Sequence, residues 1–593
     1  MNLIDSIKQS AAEAIAKVYD KHVAAEEILI NETKPEFEGD YTLVTFSLAK
    51  LIGKKPDEIA QDLGDAMVKN NSLFTDFNVI KGFLNLRVNQ AFFLDFLHTN
   101  WNEKQFGTFE PNGKKVMIEY SSPNTNKPLH FGHLRNIFLG YSVANIFKAA
   151  GYEVIKANLI NDRGIHICKS MVAWLHYANG ATPESTGIKG DHLVGDYYVK
   201  FNDIHKIQID DLISQGLPKE EAEKKTPILI EAQELLRKWE AGDAETMALW
   251  KKMNDWVYAG FRITYNRMGI DFDAMYYESD TYLLGKKIIE KGLANGVLFK
   301  KDDHSVWIDL TADGLDQKLL LRGDGTSVYM TQDIGTANLK YSDYSMDTSV
   351  YVIGDEQNYH MQVLKLIMQK LGEPGADGIY HLSYGMVELP TGKMKSREGT
   401  VVDADDMIDE MTAIAKKNTE ELGKVDGFTT DELDTLFDTL GMGALKFYLL
   451  RVDPKKRMIF NPQESIDFHG FTGPFIQYTH ARICSILRKA KAEEVDHTIE
   501  SGGPLTNNEK GLLALLEQYP AALLQAAHEY NPSVVCNYIY RIAKEFNSFL
   551  VDHSVLKAEE DSVKAMRLKL CYLTRHILAH GLGLLGANAP ERM

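Results

Sequence analysis

The spacing of apolar and polar positions changes several times along this chain, and the changes divide it. Leu3, Ile4, Ile7, Ala11, Ile15 and Val18 recur at helical spacing, while Asp5, Lys8 and Gln9 interrupt what would otherwise be an apolar signal core. The opening segment is expected to be a helix of the mature protein. "FLNLRV", Phe83 to Val88, alternates as a strand does, so residues 1–108 are expected to form a small α+β unit. "EPNGKK" marks the turn out of it. "KVMIEYSS" then places Val116, Met117 and Ile118 in a short apolar run that fits a buried strand ending at Pro123-Asn124. From Leu134 the period lengthens: Leu134, Ile137, Phe138, Tyr141, Ala144 and Phe147 share a helix face, and Gly151 stands where a helix ends. "EVIKANLI" reads as a second strand. Strand, helix and strand make a βαβ unit over residues 109–165, with the helix start at the carboxyl edge of a parallel sheet.

Residues 166–275 read as mostly helical, with the charged side of these helices facing solvent. Sheet signals return over 276–400 in "SVWIDL", in "KLLLRGDGTSVYMT" as a hairpin about Gly323-Asp324-Gly325, and in "TSVYVIGDEQ", with a helix from about His360 to Lys370. The nucleotide-type fold is thus expected to be split by an insertion. A connector over 401–440 leads to a separate helical bundle at 441–593.

At 593 residues the chain is long enough for several packed units. The absence of an apolar run of about 18 residues points to a soluble, cytoplasmic protein with no membrane role. Cys168, Cys484, Cys536 and Cys571 are too scattered for metal-ligand spacing or a disulfide framework, so reduced buried thiols and no protein-bound metal are expected. A formal charge of −18 argues against non-specific coating of nucleic acid but allows a local basic face.

The chemistry begins at "SSPNTNKPLHFGHLRN", where the strand runs into the helix. A helix start offers unpartnered amides and a positive dipole, a natural seat for a triphosphate. His130 and His133, three apart, place both imidazoles on one face of the first turn, and Gly132 lets a flat base approach the backbone. Taken alone, the pair serves equally well as ordinary surface or capping residues.

"HFGH" resembles the HIGH signature of class I aminoacyl-tRNA synthetases, and "KMKSREGT", Lys393 to Thr400, resembles their KMSKS signature. "EYSSPNTNKPLHFGHLRN", "DGTSVYMTQDIG", "GDEQNYHMQ", "FTGPFIQYTHARICSILRK" and the terminal "ANAPERM" are similar to arginyl-tRNA synthetase. The resemblance spans nearly the whole chain. It implies an α/β, Rossmann-type catalytic domain with a helical insertion, an N-terminal α+β domain touching the tRNA corner, and a C-terminal all-α bundle reading the anticodon. It also implies L-arginine, ATP with Mg²⁺ and tRNA(Arg) as partners, a monomer, and activation that waits for tRNA.

A guanidinium carries five donors in a plane, best met by forked carboxylates and a phenol; lysine would leave some of those acceptors unpaired. By family position, Glu278, Asp333 and Tyr329 would take the guanidinium, Asn124 and Gln357 the α-amino end, and Glu119 would tune the network. ATP would meet Lys127, His130, Gly132, His133, Met394 and Ser396, with Lys393, Lys395 and Arg397 assisting catalysis. Ser396 departs from the signature, which has its second lysine there. Lys127, just before HFGH, is expected to supply the displaced cation, as in some arginyl-tRNA synthetases. For tRNA, Phe83 would stack and Asn85 would read a base edge, although a half-buried strand with Phe83 in the core is the competing reading. Arg451, Lys455, Lys456 and Arg457 could face phosphates, and Tyr478, Arg482 and Met593 match positions near the anticodon. The rival readings are a class I synthetase for another amino acid, a small nucleotidylyltransferase, and a tRNA-binding paralogue without activation. The N-terminal domain and long helical tail disfavour the small transferase, and the retained histidines, Lys127 and acidic pocket disfavour the paralogue.

Overall fold

The computed structural model describes residues 2–34, 36–390, 402–421, 423, 427–498 and 502–593. The first helix, Leu3–Tyr19, buries Leu3, Ile7, Ala11 and Ile15 on the face set by their spacing. Four strands follow, β1 (Ile30–Glu32), β2 (Tyr41–Val44), β3 (Phe74–Ile80) and β4 (Phe83–Val88), in an antiparallel sheet ordered β1-β2-β4-β3. The expected "FLNLRV" strand is β4, inside the sheet.

The central sheet contains β5 (Lys115–Glu119), β6 (Glu153–Ile160) and β7 (Ala274–Tyr277). Helices Ile165–Tyr177, Gly190–Ser214, Pro227–Glu240 and Ala244–Met268 are inserted between β6 and β7. A small antiparallel sheet of β8 (Leu298–Lys300), β9 (Val306–Ile308) and β10 (Lys318–Leu321) comes next, and then β11 (Thr348–Gly354) and β12 (Ile379–Tyr384) complete the central sheet. Its order is β12-β11-β5-β6-β7, with every neighbouring pair parallel. All five carboxyl ends therefore share one edge, and β5 lies at the centre with Val116, Met117 and Ile118 buried between layers.

The proposed hairpin is shorter than the sequence pattern suggests. A single bridge, Leu321 to Ser327, closes the turn, and a helix begins at Tyr329 and runs to Tyr344. Met330, Ile334 and Ala337 recur at helical spacing and are buried, so packing on the sheet overrides the β-propensity of "SVYMT".

The C-terminal helices, Thr430–Leu450, Gly473–Ala492, Asn507–Glu517, Tyr519–Glu529, Pro532–Asp552 and Asp561–Leu584, are not a detached bundle. One apolar core runs from Leu3 to Ala587. The Leu3 amide donates to Glu517 at 2.8 Å, Lys510 pairs with Asp40 at 2.6 Å, and Gln518 donates to the Tyr41 hydroxyl at 2.6 Å, which closes the N-terminal domain onto the bundle. Lys446, buried on its helix, donates to the carbonyls of Met268 and Gly586, joining the end of the insertion to the tail of the chain; burial pushes its pKa down to about 7.

The Phe131–Ala149 helix lies close to the sheet because Gly140 has no side chain. A Cβ there would stand 2.3 Å from Cβ of buried Tyr120. Gly140→Ala should force the helix outward and lower the thermal unfolding midpoint of the full chain, the shift corresponding to about 1–3 kcal/mol of overpacking; an unchanged midpoint in calorimetry would refute this packing constraint.

Candidate functional site

After β5 the chain takes two consecutive left-handed residues, Ser121 (φ 75°) and Ser122 (φ 43°). Backbone of this kind is costly for side chains other than glycine and persists only where its surroundings hold it. Asn136, on the helix of HFGH, accepts from the Ser121 amide at 2.6 Å, and Asn158 at the end of β6 accepts from Ser122 at 3.1 Å. The turn delivers Asn124 to a parallel bridge with Asn161, and then Lys127 and His130 to a cavity of about 420 Å³.

His130 is the N-cap of the Phe131–Ala149 helix, and its amide donates to Nδ1 of His133 at 3.0 Å. The two rings lie 3.8 Å apart. Burial, aided by the Lys127 ammonium, pushes His130 down to about 3 and, with His130 also beside it, His133 well below its ordinary value. Both imidazoles are therefore neutral near pH 7. With Nδ1 of His133 accepting, its proton resides on Nε2, which is free to act as a donor. Nδ1 of His130 is buried and has no hydrogen-bond partner among the described residues, and burial also lowers the Lys127 pKa. An under-solvated ammonium beside neutral donors at a helix start suits a phosphate chain. A Cβ at Gly132 would meet the His130 ring at 3.1 Å, so any larger residue would crowd that imidazole.

The second signature's residues Lys393, Met394, Lys395, Ser396 and Arg397 lie outside the described residues. The chain on its far side returns to HFGH: the Phe131 amide donates to the Val402 carbonyl at 2.9 Å and Ala404 donates to Leu129 at 3.0 Å. Arg135, which sequence reasoning passed over inside "HLRN", serves the near side. It is fully buried and donates to the carbonyls of Gly385 (2.6 Å), Met386 (3.4 Å), Pro454 (3.2 Å) and Lys456 (2.8 Å). No sequence spacing signals a cation whose partners are main-chain oxygens from distant segments.

The acids gather along the same sheet edge. Glu278 opens a short helical turn after β7. That turn is pinned by Asp162, which accepts from the Ser279 amide (2.9 Å), the Ser279 hydroxyl (2.8 Å) and the Tyr258 hydroxyl (2.8 Å). Burial lifts Glu278 to about 7; Arg163 opposes the shift, while Asp162 and Asp333 reinforce it. Tyr329 and Asp333 sit four apart on a helix whose start lies at this edge, and Tyr329 is 79% exposed. Asp333 accepts from Nε2 of His360 at 2.6 Å, a bond that raises the His360 pKa. His360 is a partner the sequence reading missed, although it lies within "GDEQNYHMQ". Gln357 caps the helix after β11. Glu119 faces elsewhere: it is buried in an ion pair with Lys340, which lies 4.7 Å from the Tyr351 ring. Of these residues, Asp333 acts on Glu278 through charge and on His360 through its hydrogen bond, Tyr329 stands one turn before Asp333, Asn124 and Gln357 follow the carboxyl ends of β5 and β11, and Glu119 is paired with Lys340.

The residues expected to meet tRNA separate into two groups. Phe83 is exposed and packs edge-on against Phe46 at 5.2 Å, so it is not a core residue. Asn85 is 1% exposed, its amide committed to Thr42 (2.6 Å) and Asn78 (2.9 Å), an enclosure that alternation alone does not reveal. Arg451 is turned inward to the Phe471 carbonyl (2.5 Å) and Glu464 (3.0 Å) and stacks on Tyr448, whereas Lys455, Lys456 and Arg457 are exposed. Arg482 is exposed and donates to Asn547 at 3.0 Å; Tyr478 and Met593 are half-buried.

A parallel sheet that seats paired imidazoles at the first turn after its central strand, with an acidic pocket along the same edge, has the architecture of a class I tRNA synthetase catalytic domain. The chain belongs to the arginyl-tRNA synthetase family: residues 98–461 match the model for the class I (R) tRNA synthetase catalytic domain, residues 5–88 the arginyl tRNA synthetase N-terminal domain, and residues 476–593 the DALR anticodon binding domain. The arginine–tRNA ligase of Bacteroides thetaiotaomicron is 52% identical over all of both chains, and that of Flavobacterium psychrophilum is 50% identical with the same coverage. Among solved structures, Thermus thermophilus arginyl-tRNA synthetase superposes with a TM-score of 0.79 at 26% identity, covering all of both chains. Arginyl-tRNA synthetase from Plasmodium falciparum shares the fold with a TM-score of 0.78 at 18% identity, covering 100% of this chain and 99% of that one.

Arg135→Met should leave four carbonyls without their donor and destabilise the chain by about 3–5 kcal/mol, whereas Arg135→Lys, with fewer donors, should recover part of that loss. Equal thermal midpoints for Arg135→Met and the unaltered chain would refute the assignment.

Proposed function

We propose that the protein is an arginine–tRNA ligase whose reaction uses the residues gathered at the carboxyl edge of the central sheet. The carboxylate of L-arginine attacks the α-phosphate of ATP, giving arginyl-adenylate and pyrophosphate. A ribose hydroxyl of the 3′-terminal adenosine of tRNA(Arg) then attacks the activated carbonyl and releases AMP. Neither step needs a protein nucleophile, so catalysis rests on alignment and on donors aimed at developing charge.

In this reading Nε2–H of His133 and the His130 ring meet the phosphates, and Lys127 is the cation that stands in for the missing second lysine at Ser396. Mg²⁺ would accompany the nucleotide and neutralise its charge. The side chains support carriage on the nucleotide rather than a protein-held ion: among the described residues the one compact donor set, His192, Asp403 and Asp405, already has the Lys189 ammonium on it. Glu278 and Asp333 receive the guanidinium with Tyr329 above it, Asn124 and Gln357 orient the α-amino group, and Glu119 acts at one remove by holding Lys340. Phe83 offers a stacking face to tRNA, Asn85 supports the strand beneath it, and Lys455, Lys456 and Arg457 meet phosphates. Tyr478, Arg482 and Met593 lie on the anticodon side. The working division is 1–108, 109–165, 166–275, 276–400, 401–440 and 441–593, and the protein acts as a cytoplasmic monomer.

The observation that carries the arginine assignment is Glu278. Burial is the main cause of its rise to about 7, with Asp162 and Asp333 adding to it and Arg163 opposing it, and a guanidinium would return the solvation and charge that burial removes. With each of the twenty labelled amino acids, total tRNA and Mg²⁺-ATP, arginine alone should be transferred, and Lys127→Ala should cost about 10²-fold or more in rate; failure to transfer arginine would sink the proposal. The sign of the pH effect follows from the raised pKa. Below about 7 Glu278 is protonated and attracts the guanidinium weakly, so the KM for arginine should fall by about fivefold or more as pH rises from about 6 to 8. Glu278→Gln should flatten that dependence, and a variant with the same slope as the unaltered chain would remove Glu278 from the pocket.

A further inference from the structure

The segment following the second signature carries two carboxylates that play no part in the steps above. Val402 and Ala404 pair with Phe131 and Leu129 through main-chain bonds, and the Asp403 and Asp405 side chains meet the helical insertion. Lys189, at the cap of the Gly190–Ser214 helix, places Nζ 2.5 Å from Asp405 Oδ2 and 3.1 Å from Asp191 Oδ2. Nε2 of His192 stands 3.3 Å from both Asp403 Oδ2 and Asp405 Oδ2. Thr264, from the Ala244–Met268 helix, donates to Asp405 Oδ1 at 3.0 Å and accepts from Lys189 at 2.6 Å. Three stretches distant in sequence thus converge on one clasp. His192 and Asp403 line the same cavity as Lys127 and His130.

Ligand atoms of His192, Asp403 and Asp405 lie within 4.8 Å of one another, a spacing a divalent ion could use, but the Lys189 ammonium already neutralises Asp405. The cluster therefore already holds protein cations: Lys189 and the His192 ring, whose pKa is raised, face three carboxylates, Asp191, Asp403 and Asp405. Despite burial, the neighbouring His192 ring and the Lys189 ammonium hold Asp405 well below the usual carboxylate range, and the Asp405 and Asp403 carboxylates, 3.3 Å from Nε2, raise His192 above its ordinary value. The clasp is partly enclosed, with Lys189 and Asp405 side chains 16% and 19% exposed, so solvent screens it less than a surface pair.

We infer that Lys189 and His192 are positioning residues for the nucleotide step: they fix Asp403 and Asp405, and through the Val402–Ala404 pairing they fix the main chain that carries His130. The inference rests on reading HFGH as the ATP site. A displacement of the order of 1 Å at such a site costs about 10²-fold. Lys189 and Asp405 reach the chemistry through that main chain, while His192 and Asp403 also line the nucleotide cavity; the clasp should therefore act on turnover, with Glu278 and Asp333, the partners assigned to the guanidinium, outside it.

The test is arginine-dependent ATP–pyrophosphate exchange, with tRNA present, by the full chain and its Lys189→Met, Lys189→Arg and His192→Gln variants, alongside thermal unfolding. We expect kcat to fall about 10- to 100-fold in Lys189→Met and about tenfold in His192→Gln, arginine KM to stay within about twofold, and Lys189→Arg to recover most of the loss. A pH profile separates positioning from mere structure. The groups facing His192 are Lys189, Asp191 and Asp196 on its own helix, Asp403 and Asp405 on the opposing segment, and Lys127 and His130 across the cavity, with uncharged Thr264 alongside. The clasp is complete while His192 is protonated, so kcat should fall as pH rises through its raised pKa, and His192→Gln should lack that limb. Folded variants with kcat within about threefold of the unaltered chain would overturn the inference, as would losses that track the thermal midpoint and arginine KM together. Should Lys189→Met fail to fold, His192→Gln carries the test, since its position is one-third exposed. If the unaltered chain performs no exchange, the functional reading falls, and this inference with it.

Discussion

A guanidinium whose hydrogen bonds reach no carboxylate is an expensive thing to bury, and among the described residues those of Arg135 run to main-chain oxygens. Its four acceptors come from two stretches, one just after β12 and one after the Thr430–Leu450 helix, neither near it in sequence. The guanidinium is satisfied only when both stretches and the HFGH helix are in register, so it checks the assembly of three segments at once. That requirement explains why the histidine pair, the stretch at Gly385 and Met386 and the basic run at 455–457 form one structural unit.

In the proposed reading, the site divides its electrostatics between two substrates of opposite charge. On one side, two imidazoles kept neutral by burial and by Lys127 present N–H donors without adding charge to repel the adjacent lysine. On the other, burial with Asp162 and Asp333 raises Glu278 against the opposing Arg163, and His360 donates to Asp333. Burial produces both effects, in opposite senses for base and acid: it strips the proton from a histidine and returns one to a glutamate. In that reading the same low-dielectric edge is prepared for an anion at His130 and His133 and for a cation at Glu278 and Asp333.

Much of the fold was legible because it is periodic. β4, β5 and β6, and the helix between β5 and β6, fall where apolar spacing puts them, and Gly151 closes that helix with φ 88°. "SVYMT" misleads because β-branched and aromatic residues also suit a helix whose buried face is supplied by Met330, Ile334 and Ala337. Among the site residues, the paired histidines were readable because helix starts have fixed chemistry. His360, Arg135 and the Lys340 partner of Glu119 were not, since each is defined by a partner remote in sequence. Asn85 shows the same limit from the other direction: its residue type suits base recognition, but Thr42 and Asn78 enclose it.

The contacts between the first domain and the last bear on how the chain is made. Leu3 and Asp40 find their partners at Glu517 and Lys510, separations of 514 and 470 residues. A ribosome adding about 5–20 residues per second delivers those partners tens of seconds after the first helix has emerged. During that interval the N-terminal helices and sheet must persist without the bundle's share of the common core, with the surface that will receive the bundle open to solvent and to other chains. Loop closure over such distances adds little to the entropic cost for each further residue, so the penalty lies in waiting rather than in the final equilibrium. The nascent chain is consequently most exposed to misassembly late in synthesis, when its catalytic sheet is complete and its last helices are still inside the ribosome.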